Sequence, residues 1–235
     1  TIIIKNITNS DTGCTNIANI SASFSTNPLP DTSNMIVTIS DICQGQFANV
    51  AISGLGTLTT ININFSLSGA NTVATNTISL NVIAGNTSFT IPTTSLPNTG
   101  LTTLNIIDIT NNANSCSLTI NKKTDFTVNT LPDVSNMVIT VNDGCPNQPL
   151  NIDITGLGVL TNVSLNYTLS GANSVNLQTS PLIVSGGNTN FVIPGSALAN
   201  TGTNTIVITD LTNTITGCSS VVNSISQNFA LLPIP

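Results

Sequence analysis

The sequence predicts an all-β protein of repeated two-sheet sandwiches, and three observations predict it. Apolar and polar residues alternate at a period of two in many short stretches, the pattern of a strand with one buried face. Clusters rich in Gly, Asn and Pro break those stretches about every 8–12 residues. A block of about a hundred residues recurs at an offset of 102, and no stretch shows a convincing helical period.

The repeat is gap-free over most of its length. Asp31-Thr-Ser-Asn-Met-Ile-Val-Thr-Ile-Ser-Asp-Ile-Cys43 returns as Asp133-Val-Ser-Asn-Met-Val-Ile-Thr-Val-Asn-Asp-Gly-Cys145. Between residues 31–118 and 133–220, 42 of 88 positions are identical, far beyond chance. Upstream, Thr8-Asn9 and Cys14 match Thr110-Asn111 and Cys116, and Ile234-Pro235 matches Leu131-Pro132. The expected organisation is therefore residues 1–30 as the terminal strands and linker of a preceding repeat, 31–132 as one sandwich and 133–235 as a second. Both ends fall inside the repeat pattern, so the chain reads as a window on a longer array, with no targeting segment in view.

Each strand follows from its own pattern. Met35, Val37 and Ile39 alternate with polar or outward residues, as do Ile61, Ile63, Phe65 and Leu67, and Ile78, Leu80 and Val82. Val163, Leu165, Tyr167 and Leu169, and Leu150, Ile152 and Ile154, do the same in the second copy. Further strands are expected over 88–91, 103–109 and 117–120, separated by turns at 54–56, 69–71, 84–86, 97–100 and 111–114. The abundance of Ile and Thr, both β-branched, suits the pleated backbone. About seven short strands per hundred residues predicts an immunoglobulin-like sandwich, with a jelly roll or barrel as the alternative. Phe126–Pro132 reads as a stiff, extended linker, since it contains Pro and no Gly.

Composition removes several chemistries. Charged residues make up 5% of the chain, against about 25% in typical soluble proteins. There is no His, Arg, Glu or Trp, and Tyr167 is the single tyrosine. Imidazole bases, Ser-His-Asp triads and His-ligated metals are thereby excluded. With three lysines and a net charge of −6, the chain repels nucleic acid. No apolar run reaches the 18 or so residues of a membrane span. Paired carboxylates without sugar-stacking aromatics make a poor glycosidase, and Lys5, Lys122 and Lys123 leave the second repeat without a lysine for isopeptide staples. Isolated T-x-T triplets do not form an ice-binding ladder. No enzyme activity and no cofactor are expected.

The recurring Asp residues, Asp31, Asp41 and Asp108 with Asp133, Asp143 and Asp210, invite a calcium reading near Asp31 and Asp133 at the repeat entrances. Calcium wants six to eight oxygens, several of them carboxylates, so these Asp are read instead as turn residues that satisfy backbone N–H groups, and no metal is expected. Sequons stand at Asn6, Asn19, Asn64, Asn86, Asn162 and Asn166, in a chain so rich in Asn, Ser and Thr that several arise by chance.

The five cysteines, Cys14, Cys43, Cys116, Cys145 and Cys218, alternate gaps of 29 and 73 residues. Two pairings respect the repeat: Cys43–Cys116 with Cys145–Cys218 inside each sandwich, or Cys14–Cys43 with Cys116–Cys145 between neighbours. The first is preferred, because the last hairpin of a sandwich points away from the next one and a bridge needs Cα atoms within about 7 Å. It fails, in turn, if Cys43 and Cys116 sit at opposite ends. Five free thiols is the third arrangement. Regular bridges imply an oxidising, extracellular setting.

The motif set, Asp-x-Cys, Leu-Ser-Gly-Ala-Asn, Phe-x-Ile-Pro, Asn-Thr-Gly and Asp-x-Thr-Asn-x-x-x-x-Cys, resembles the repeats of giant cell-surface adhesins of Bacteroidetes, including gliding-motility adhesins of the SprB type. The resemblance spans nearly the whole chain and supplies no catalytic residues. It implies a non-catalytic stalk at the cell surface whose partners are neighbouring repeats of the same polypeptide and, beyond them, surface polysaccharide or other surface proteins. A strand-exchanging filament protomer, and a binder using loops 69–76 and 171–178, are the competing expectations.

Overall fold

The computed structural model describes residues 1–222 and 225–234. An isolated hairpin comes first, β1 (Ile2–Thr8) and β2 (Thr15–Ala22). The first sandwich follows: β3 (Ile36–Ile39), β4 (Ile42–Cys43), β5 (Ala48–Ser53), β6 (Thr60–Gly69), β7 (Val73–Asn81), β8 (Thr87–Ile91), β9 (Gly100–Asn111) and β10 (Cys116–Asn129). The second comprises β11 (Val138–Val141), β12 (Leu150–Thr155), β13 (Asn162–Gly171), β14 (Val175–Ile183), β15 (Thr189–Ile193), β16 (Gly202–Asn213), β17 (Ser219–Val221) and β18 (Ser226–Leu231). Pro235, whose match to Pro132 closes the repeat pattern, lies outside the described residues.

In the first sandwich a three-stranded sheet, β3-β5-β8, faces a five-stranded sheet, β4-β10-β9-β6-β7. The second repeats this as β11-β12-β15 against β14-β13-β16, with β17 and β18 both pairing with β16. The polypeptide crosses between sheets after β3, so that β4 runs parallel to the end of β10, Ile42 opposite Val128 and Cys43 opposite Asn129. An isolated parallel bridge, Gly144 to Leu231, marks the same crossing in the second sandwich.

Period-two alternation decides which face is buried. Along β6, Ile61, Ile63, Phe65 and Leu67 are buried while Asn62, Asn64 and Ser66 are half-exposed, and Val163, Leu165, Tyr167 and Leu169 repeat this on β13. Each such side chain contributes about 1.5–3 kcal/mol by leaving water. Two separate cores result. An aromatic pair lies in each, Phe65 with Phe89 at 5.1 Å and Tyr167 with Phe191 at 4.9 Å between ring centres, and this pair supplies bulk in a chain without Trp.

Turn chemistry is duplicated as faithfully. Gly54 and Gly156 end β5 and β12 at φ +76° and +81°, and a Cβ at either would run into the carbonyl of Asn34 or Asn136.

One expectation changes. Phe126–Pro132 is not all linker: β10 continues to Asn129, and Phe126 and Val128 sit in the core at 2% and 1% exposure. Both occupy the inward positions of a period-two strand, so apolar burial overrides the reading from composition. Eight residues, 130–137, separate β10 from the next strand, and since Val134 and Met137 already pack on the second core, only 130–133 connect the sandwiches.

Candidate functional site

With a connection this short, the junction between the sandwiches is the most built feature of the molecule. Its parts come from the motifs that recur. Asp41 accepts the backbone N–H of Thr127 at 2.6 Å, clamping β4 to β10 at the exit of the first sandwich. The N–H of Gln44 then donates to the carbonyl of Asn129 at 2.8 Å, and the N–H of Cys43 donates to Oε1 of Gln46 at 3.1 Å. The Asp-x-Cys motif therefore presents a thiol at the exit. From the other side, the β16–β17 turn of the second sandwich points back toward the linker. Asn213 Oδ1 accepts the N–H of Ile215 at 3.0 Å within that turn, Gly217 takes the left-handed conformation at φ +73°, and the Ser220 hydroxyl donates to the Pro132 carbonyl at 2.6 Å.

The two thiols meet. Cys43 and Cys218 form a disulfide with Cα atoms 5.5 Å apart, across a sequence separation of 175 residues. Cys218 is fully buried, and Cys14, Cys116 and Cys145 are free. The preferred pairing of Cys43 with Cys116 and Cys145 with Cys218 is therefore corrected, and so is the alternative of Cys14 with Cys43. The reason is directional: Cys43 sits at the exit of its sandwich beside Asn129, whereas Cys116 sits at the opposite end, with Asn114 donating to the Pro28 carbonyl at 3.2 Å. Beside the bridge lies a cleft of about 520 Å³, lined by Gln44, the linker from Thr130 to Asp133, Asn136, Leu157, Val159 and Asn213.

The other sequence-singled residues have structural partners. Asp31 Oδ1 accepts the N–H and hydroxyl of Ser33 at 3.0 and 2.7 Å, and Asp133 accepts the N–H of Ser135 at 2.9 Å. These bonds hold both carboxyls below the usual range: at Asp31 the Ser33 backbone bond leads, at Asp133 the Ser135 side chain. Asp143 accepts the N–H of Ala230 at 2.7 Å. Asp108 and Asp210 accept the amides of Asn64 and Asn166. Among the described residues no cluster of three or more Cys or Asp is placed to hold a metal. The half-buried sequon residues Asn64 and Asn166 have their side-chain nitrogens engaged, while Asn162 is exposed. Lys5, Lys122 and Lys123 are exposed.

Sequence reasoning missed one buried network. Asn71, at 1% exposure, donates to the Asn98 carbonyl at 2.8 Å and to the Thr102 hydroxyl at 2.9 Å, and accepts the Asn98 N–H at 2.9 Å. Asn173 makes the matching bonds to Asn200 and to Asn204. Leu-Ser-Gly-Ala-Asn and Asn-Thr-Gly are thus two halves of one clamp, which ties loops 69–71 and 171–173 to the sandwich. Their identity in both copies was the available signal.

The two-sheet arrangement, with its strand crossing from one sheet to the other, is a known one. The fold is immunoglobulin-like. The chain is similar to a marsupial T cell receptor, at TM-score 0.50 and 11% identity over 86% of this chain and 74% of that one. It is also similar to the FN1–FN3 domains of chicken CNTN1, at TM-score 0.54 and 7% identity, covering 87% of this chain and 65% of that one. Identities this low speak for the fold alone. No family model matches the chain, and no curated protein matches it in sequence. Among the described residues no helix is long and apolar enough to cross a membrane.

Proposed function

We propose that the chain is a stretch of non-catalytic stalk in a long extracellular surface adhesin, each repeat serving as a spacer bolted to the next. The observation that carries this reading is the Cys43–Cys218 bridge, which joins consecutive repeats. A bridge between modules restricts their relative motion, which a stalk needs and an isolated module does not. A persistent disulfide fits an oxidising location outside the cell. The nearest partners are neighbouring repeats of the same polypeptide, with surface polysaccharide or other surface proteins reached at the ends of the filament.

Residues 1–30 fit this reading as the last hairpin and exit linker of a preceding sandwich. Three features of β1–β2 recur in β9–β10. Thr8 and Thr15 pair hydroxyls as Thr110 and Ser117 do, Asn19 and Asn121 share a left-handed bulge at φ 43° and 48°, and the N–H of Gly13 closes on Asn9 as that of Ser115 closes on Asn111. Ile2, Ile4 and Ile7 stand where Leu104, Ile106 and Ile109 are buried, yet they are 60%, 47% and 59% exposed. Two lone strands are marginal in water, so this face calls for the remaining strands of a sandwich.

The same exposed face favours one second reading, a filament protomer that lends its hairpin to another copy. Solution scattering and sizing separate the two. A stalk piece is monomeric and rod-like, and becomes more flexible when Cys43 is replaced by Ser. Concentration-dependent multimers abolished by removing residues 1–23 would establish the protomer instead.

A further inference from the structure

The bridge between the sandwiches uses one cysteine from each, and each sandwich carries the counterpart of the one it does not use. Cys145 is the repeat equivalent of Cys43, and Cys116 of Cys218. Their surroundings are equivalent as well. Asp143 clamps Ala230, the Gly144 N–H donates to the Ala230 carbonyl at 3.0 Å, and the Leu232 N–H donates to the Gly144 carbonyl at 2.9 Å. Cys145 is thereby held at the exit of the second sandwich as Cys43 is at the first, but exposed. At the opposite end, Cys116 rests in the same turn as Cys218, with its Sγ 3.8 Å from the carbonyl two residues before it, against 3.9 Å in Cys218. Cys116 also lies 3.9 Å from the Asn27 carbonyl. Asn27 is the repeat equivalent of Asn129, the residue that Cys43 stands opposite. Cys116 is thus already directed at the place where the exit cysteine of a preceding module belongs.

We infer that Cys116 and Cys145 are the two open halves of this same staple: Cys145 bonds the turn cysteine of a following module and Cys116 the exit cysteine of a preceding one, both immunoglobulin-like modules of this repeat type. This rests on the stalk reading. The oxidant is a small disulfide. One cysteine thiolate attacks it and releases one thiol, and the partner cysteine displaces the second, so two protein thiols become one disulfide as one oxidant disulfide becomes two thiols. The rule pairs every exit cysteine with the turn cysteine of the next module, as Cys43 is paired with Cys218.

The test is a chain of residues 1–235 followed directly by a second copy of residues 31–235, which restores the Pro132–Asp133 junction. It is oxidised with glutathione disulfide, alkylated and cut before Asp without reduction. The nine Asp place all five cysteines in separate fragments. Expected is a linked pair of fragments 143–152 and 108–124 from a monomeric chain, alongside fragment 41–107 linked to that of Cys218. The linked pair should be absent from the 235-residue chain treated identically. Absence of that linked pair, with both Cys43–Cys218 bridges intact, would overturn the inference and leave the stalk reading standing. If the 235-residue chain forms the same linked pair in covalent multimers, the stalk reading is overturned and the pairing rule survives as a contact between protomers.

Discussion

Replacing Cys43 by Ser removes the bridge at its half-exposed end without placing a hydroxyl at the buried Cys218. The magnitude follows from what the bridge closes. When the second sandwich unfolds on a folded first, Cys43 remains beside Asn129, so the closed loop runs from there to Cys218, about 90 residues, and not the whole 175. When the first unfolds on a folded second, Cys218 remains in the turn whose Ser220 holds Pro132, and the loop from Cys43 is again about 90 residues. Chain entropy then gives about 4.5 kcal/mol of destabilisation for whichever module unfolds first, and under about 1 kcal/mol for the second, because unfolding both closes a single loop of 175 residues that amounts to about 5 kcal/mol in all. For domains of this size that lowers the melting temperature of the first module to unfold by on the order of 20 °C. Differential scanning calorimetry at neutral pH should find the first transition lowered by this amount in Cys43→Ser and the second by only a few degrees, with the same two shifts in wild type under excess reductant. A shift of neither transition, or of both by the full amount, would refute the loop-closure reasoning.

Other outcomes follow from the repeated turns. Gly54→Ala and Gly156→Ala force a Cβ onto a backbone carbonyl at positive φ, and each should cost on the order of 3 kcal/mol in its own module by denaturant titration. Asn71→Leu strands the Asn98 N–H and carbonyl and should cost about 2–3 kcal/mol, with Asn173→Leu matching it in the second module. Asp31 and Asp133 have folded pKa values below their unfolded ones, so their contribution is present above the unfolded value and is lost as pH falls through the folded one. Melting temperature should therefore be flat from about pH 5 to 8 and decline only below about pH 4.

The legible part of this protein is the part set by local pattern. The alternation along β6 and β13 marks strands because one face of each is buried, and duplicate motifs mark duplicate modules. Legibility ends where a residue's role depends on direction. Gaps of 29 and 73 suggest pairs within a repeat or between adjacent cysteines, whereas the observed pair adds one full repeat to the longer gap. Choosing it requires knowing that β4 runs parallel to the end of β10 while the β16–β17 turn faces backward, and no local pattern encodes either. Phe126 and Val128 were legible in principle, as an apolar pair two apart, but Pro132 and the polar residues between them suggested a linker. Asn71 illustrates a third limit: an amide reads as a turn residue until the loop it ties down is brought against it.

The direction of the bridge also decides how the chain bears load. Pulled at its ends, the oxidised chain carries tension from Thr1 to Cys43, through the disulfide, and from Cys218 onward, a covalent path of about 60 residues. The 175 residues between the two cysteines are shielded. At about 3.5 Å per residue, that withholds about 600 Å of contour length. If every exit cysteine is bonded, as inferred above, the load-bearing path becomes a series of 29-residue segments of the kind that joins Cys116 to Cys145. Each runs the length of one module along β10, crosses the linker and follows the first strand of the next, so an array already near full extension has almost nothing to release. Single-molecule pulling on the 235-residue chain tests the first step. Its final contour length should grow by about 600 Å when reductant is added, and equal lengths in both conditions would show that the modules bear the load themselves.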